Sequence, residues 1–102
     1  LETGTKSLEQ ALAAYHEVLA EFSRGKNPAT WAQTQKNIGV AHILLATRRK
    51  GEGDFDKSIA AFNLALDEFR KSGDRFGIGQ VEQALKMAEQ MRGLMQQMEG
   101  AQ

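Results

Sequence analysis

The chain has 102 residues, 41% of them hydrophobic and 25% charged, which bounds it to one domain with one modest core. Thirteen basic residues balance thirteen acidic ones, so the basic excess that nucleic-acid binding requires is missing. With no cysteine there is neither a disulfide framework nor a thiolate zinc site, and no apolar run approaches the length of a membrane span.

One proline and few β-branched residues favour helices over strands. The spacing predicts four of them, over residues 7–24, 28–49, 54–72 and 75–98. The first begins near Ser7 or Thr5, where Ser7 and Gln10 have the spacing of a capping box. Leu8, Leu12, Tyr15, Leu19 and Phe22 then recur at steps of four and three, one face of a helix, which Gly25 ends. Asn27 and Pro28 open the second helix as cap and first helical residue. It runs to Arg49, where Arg48, Arg49 and Lys50 complement the helix dipole and Gly51 and Gly53 break the helix.

Asp54 is the expected cap of the third helix, whose stripe is Phe55, Ile59, Phe62, Leu66 and Phe69 and whose end is Gly73. Asp74 caps the fourth. Val81, Leu85, Ala88, Met91, Met95 and Met98 form its stripe, while Gly77, Gly79 and Gly93 weaken it. Short connections make consecutive helices antiparallel neighbours.

The chain repeats itself. Residues 8–22 read LEQALAAYHEVLAEF and residues 55–69 read FDKSIAAFNLALDEF, an ungapped offset of 47. The small pairs Ala13-Ala14 and Ala60-Ala61 predict close approach of a neighbouring helix, with Tyr15 and Phe62 filling the space beside it. The unit that repeats is therefore a helix pair, which must stack to bury its faces.

On these residues the chain resembles the tetratricopeptide-repeat family. Trp31-Ala32-Gln33-Thr34-Gln35-Lys36-Asn37-Ile38-Gly39-Val40-Ala41 is similar to the bacterial form of the first repeat helix, W-A-x-T-Q-x-N-L-G-x-A. Ser58, Phe62 and Ala65 have the small–aromatic–small spacing of the second repeat helix, as do Ala11, Tyr15 and Val18. The resemblance covers most of residues 7–92. It departs from the family in its period, 47 residues against about 34. The fourth helix lacks the motif, which gives it a capping role or makes it an atypical repeat. One complete repeat is flanked by two halves, and no methionine starts the chain, so a processed product or a fragment of a longer repeat protein is expected.

The resemblance implies an all-α fold in which antiparallel helix hairpins stack as a short α-solenoid. It implies a protein-interaction module, with no catalysis and no cofactor, that holds a peptide or partner helix in a groove lined by the second and fourth helices. The groove candidates are Gln33, Lys36, Asn37, Val40, Gln80, Gln83 and Met87. Asn37 falls inside the apolar arc of Ile38, Val40, Ala41, Leu44 and Leu45 and Lys36 borders it, so a hydrogen-bond partner is needed, either a ligand or the neighbouring helix. The resemblance implies that such a lysine and asparagine can grip a partner's terminal carboxylate. Val40 and Met87 are apolar where a carboxylate clamp wants polar groups.

The alternative is a structural homo-oligomerisation unit through the methionine-rich fourth helix. Met87 and Met91 are expected in the core, whereas Met95 and Met98 extend past what three helices can cover. Met91, Met95 and Met98 are the self-association candidates. His16 and His42 read as edge-of-face residues, because neither a Glu-x-x-His pair nor a second histidine four residues after His16 is present. Gly51-Glu-Gly53 and Gly77-Ile-Gly79 lack the remainder of a phosphate loop. The missing membrane and export signals make a cytoplasmic, metal-free protein the expectation.

Overall fold

The computed structural model describes residues 4–49 and 52–100. It holds four helices and, among the described residues, no strand: α1 (Thr5–Glu21), α2 (Pro28–Arg49), α3 (Glu52–Ser72) and α4 (Arg75–Gly100). Lys50 and the break expected at Gly51 lie outside the described residues.

The α3–α4 corner follows from local chemistry. Gly73 has φ 72°, in the left-handed region that glycine enters without steric penalty. Its N–H donates to the Arg70 carbonyl (3.2 Å) and the Asp74 N–H donates to the Phe69 carbonyl (3.0 Å), the bond pair of a Schellman motif. Asp74 then accepts from the Gly77 N–H at 3.0 Å, capping α4 as expected. Proline opens α2, and the Trp31 N–H donates to the Asn27 carbonyl at 2.9 Å.

Some expected ends and caps differ. The first helix begins at Thr5, the earlier of its two expected starts, but the cap expected at Ser7 does not form: Gly4 precedes the helix at φ 88°, no side chain caps it, and Ser7 lies inside the helix. That helix ends at Glu21 rather than at Gly25, because Ser23 accepts the Lys26 N–H (3.2 Å) and closes a turn of its own. Asp54 does not cap α3, which already begins at Glu52. The Asp54 carboxylate is taken by side chains of α2, as described below.

The core lies where α2 meets α3 and α3 meets α4. Phe55, Phe62, Leu45 and Val81 are its largest fully buried apolar side chains. At the α2–α3 crossing Gly39 faces the Phe62 ring, and Ser58, fully buried, donates its hydroxyl to the Gly39 carbonyl at 2.8 Å. A glycine there lets the two backbones approach to the thickness of one ring. Gly77 plays the same part at the α3–α4 corner, against the Phe69 ring. The partners run in opposite order along each pair of consecutive helices, so neighbours are antiparallel and α2 and α4 are parallel.

The α1 helix is held differently. No residue of it is buried, and its backbone approaches only that of α2 among the described helices. Ala13 and Ala14 are exposed, so the close helix contact expected at that pair does not form; Ala61 is buried and Ala60 is exposed. Polar ties hold the end: Arg48 donates to the Gly4 carbonyl (2.6 Å) and Arg49 pairs with Glu9 (3.3 Å). In the following turn Arg24 reaches α3, pairing with Glu68 (2.7 Å) and Asp67 (2.5 Å), and stacks 4.6 Å over the Trp31 ring.

Candidate functional site

The segment Trp31–Ala41 divides its residues between two surfaces. Ala32, Thr34, Gln35, Ile38, Gly39 and Ala41 are buried. Gln33, Lys36, Asn37 and Val40 fall between them at helical spacing and remain on the open side, with Val40 42% exposed. The same turn of helix thus builds the α2–α3 contact and presents a stripe to solvent.

That stripe meets α4. Lys36 and Val40 from α2 and Gln80, Gln83, Ala84 and Met87 from α4 line an open cleft of about 530 Å³. The Lys36 ammonium donates to the Gln80 side-chain carbonyl at 3.0 Å across the cleft floor. Lys36 therefore finds its partner on the neighbouring helix. Asn37 turns to the other flank, where with Lys36, Val40, Ala41 and Leu44 it meets Leu8, Ala11 and Tyr15 of α1 around a smaller cleft of about 280 Å³. Asn37 accepts from Gln33 along its own helix at 3.5 Å. Lys36 and Val40 line both clefts, which adjoin along α2 and together form the trough. Among the described residues its only charged lining side chain is Lys36; amides, the Tyr15 ring and apolar groups supply the rest.

Five of the seven groove candidates, Lys36, Val40, Gln80, Gln83 and Met87, come together at one cleft; Asn37 lines the second, and Gln33 reaches the trough through Asn37. Met87 is not in the core: it is 47% exposed, because its side of α4 faces the trough instead of α3. Sequence reasoning missed the α1 contribution of Leu8, Ala11 and Tyr15, and also Leu44 and Ala84. The α1 stripe was visible in the periodicity; its being only half covered was not.

Farther along, Met91, Met95 and Met98 surround a third cleft of about 220 Å³ with Leu94, Phe55, Ala46 and Thr47. Met91 packs on the core, as expected, and Met95 is half-buried. Met98 is 70% exposed and Leu94, absent from the sequence stripe, 59%.

His42 is not an edge residue. It is buried, and its Nδ1 lies 3.0 Å from Asp54 Oδ1, where Arg49 also approaches the carboxylate (3.4 Å). This joins the end of α2 to the start of α3, so Arg48 and Arg49 do more than complement a dipole: they tie α2 to α1 and α3. His16 is exposed and lines, with His42, a cleft between α1, α2 and α3. Among the described residues no group of three or more His, Asp or Glu is arranged to hold a metal ion, and no helix is long and apolar enough to cross a membrane. Comparison with protein-family models, with curated proteins and with solved structures finds no match to this chain.

Proposed function

We propose that this chain is a protein-interaction module that acts by binding, without catalysis, in the manner of a short tetratricopeptide-type repeat stack. In this reading α2 and α3 form one repeat, α1 is the second helix of a preceding one and α4 the first helix of a following one. The observation that carries it is the trough, in which Lys36 and Val40 of α2 and Gln80, Gln83 and Met87 of α4 line one open cleft. Exposed apolar side chains in a concave, rigidly backed surface, with a few amides and one cation, suit an amphipathic helix or an apolar peptide. The ligand takes over the Lys36–Gln80 hydrogen bond or settles on the apolar floor beside it.

Affinity capture from a native lysate tests this, with bound proteins identified by mass spectrometry. The comparison is a Lys36→Glu/Asn37→Ala variant whose helix content is first checked by circular dichroism. A partner held by the parent and lost by the folded variant is the expected result. A partner held equally by both places the binding surface elsewhere and overturns the reading.

A further inference from the structure

All four methionines of the chain fall within residues 87–98, at steps of four, four and three. The structure divides them. Met87 lines the trough cleft with Lys36, whereas Met91, Met95 and Met98 line the separate cleft farther along α4. These three share one side of the helix, where residues three and four apart bring their Cβ atoms within about 5–6 Å. The unbranched side chain has three rotatable bonds, so the two outer sulfurs can converge on the middle one. Exposure rises along the row: Met91 packs on the core, Met95 is half-buried and Met98 is 70% exposed.

The rest of that cleft gives a ligand little else to hold. Ala46, Phe55 and Leu94 are apolar, and the one side-chain oxygen, the Thr47 hydroxyl, donates to the Leu44 carbonyl at 2.8 Å. Among the described residues no carboxylate, imidazole or charged side chain lines it, and the guanidinium of Arg92, next to Met91, is paired with Asp56 at 3.0 Å. Sulfur is therefore the donor. A thioether is neutral and polarisable, and such soft ligands select copper(I), whereas calcium and magnesium want oxygen. Charge points the same way. With neutral donors and apolar walls nothing offsets a second positive charge, and the cost of desolvating an ion rises with the square of its charge.

We infer that the thioethers of Met91, Met95 and Met98 form a site for one copper(I) ion. The buried Phe55 ring backs the site, and Met98 stands at its open mouth. Met91, seated on the core, fixes the inner sulfur; Met98 is free to close over the ion from solvent. The site is separate from the trough and does not depend on what the trough binds.

Anaerobic titration of the full chain with copper(I), kept reduced by ascorbate and competed against a chromophoric copper(I) chelator, tests this. One ion per chain is expected, and zinc(II) is not bound in its place. Leucine nearly conserves the volume of methionine, so Met91→Leu, Met95→Leu and Met98→Leu keep the fold, which circular dichroism checks. Changes just outside a metal site already cost about 10–100-fold in affinity, so removal of a sulfur donor weakens binding by about tenfold or more. Met87→Leu, on the same helix but in the trough cleft, leaves the affinity unchanged. Silver(I), a redox-inert ion of similar softness, shifts the methyl NMR signals of Met91, Met95 and Met98 and not that of Met87. A chain that binds no copper(I) overturns the inference. Binding that survives the triple leucine variant, or that Met87→Leu weakens as much as the other three, overturns it as well.

Discussion

Replacing Gly39 by alanine tests the α2–α3 packing on which the trough is mounted. A Cβ built there lies 2.5, 2.6 and 2.8 Å from three atoms of the Phe62 ring, where carbon atoms ordinarily rest at about 3.5–4.0 Å. Phe62 is fully buried, so the ring cannot swing into solvent, and relief requires the helices to part by roughly 1 Å. Overpacking of this kind costs about 1–3 kcal/mol. Parting also stretches the 2.8 Å bond from Ser58 to the Gly39 carbonyl, a loss of about 1 kcal/mol. Against this, alanine gains up to about 1 kcal/mol of helix propensity over glycine. The net is a destabilisation of about 1–3 kcal/mol, or a fall in Tm of roughly 5–20 °C for a domain of this size.

The control is Gly79→Ala, in α4, where a Cβ meets nothing within 4 Å. There the propensity term stands alone and the variant gains up to about 1 kcal/mol. Urea and thermal unfolding followed by circular dichroism measure both. Phe62→Leu added to Gly39→Ala removes the clashing ring atoms, and the two changes together cost less than their sum. If Gly39→Ala stabilises the chain as Gly79→Ala does, the crossing is not this close and the reasoning fails.

Asp74→Ala removes the carboxylate that caps α4 at Gly77 and lowers stability by about 1 kcal/mol, while Asp74→Asn retains most of it, as unfolding curves will show. Arg24→Ala breaks the pairs with Glu68 and Asp67 and the stacking on Trp31; a lower Tm is expected, with a smaller difference in high salt because Asp67 and the guanidinium edge are solvated. Hydrogen exchange followed by mass spectrometry gives α1 the least protection of the four helices, since none of its residues is buried and it packs on α2 alone. Equal protection in α1 and α3 contradicts the loose seating of α1.

Sequence by itself determined the four helices and most of their ends, because Asn27-Pro28, Gly73 and Asp74 act within a few residues of themselves. Local signals misled where a distant group competed for the same atoms. Asp54 has the character of a cap, but His42 and Arg49 supply its partners and α3 begins earlier. Ser7 and Gln10 have capping-box spacing, but the helix is already under way at Thr5. The segment Trp31–Ala41 told which α2 residues face outward, since the period of 3.6 separates the two sides of a helix. It could not tell what lies opposite. Parallel placement of α4 beside α2 brings Gln80, Gln83 and Met87 to Lys36 and Val40. Coverage was likewise settled only in three dimensions: α1 and α3 carry nearly the same apolar pattern, yet α3 is clamped between two helices and α1 lies on one. Periodicity records which side chains would gain by burial, and only the arrangement of neighbours decides which of them are buried.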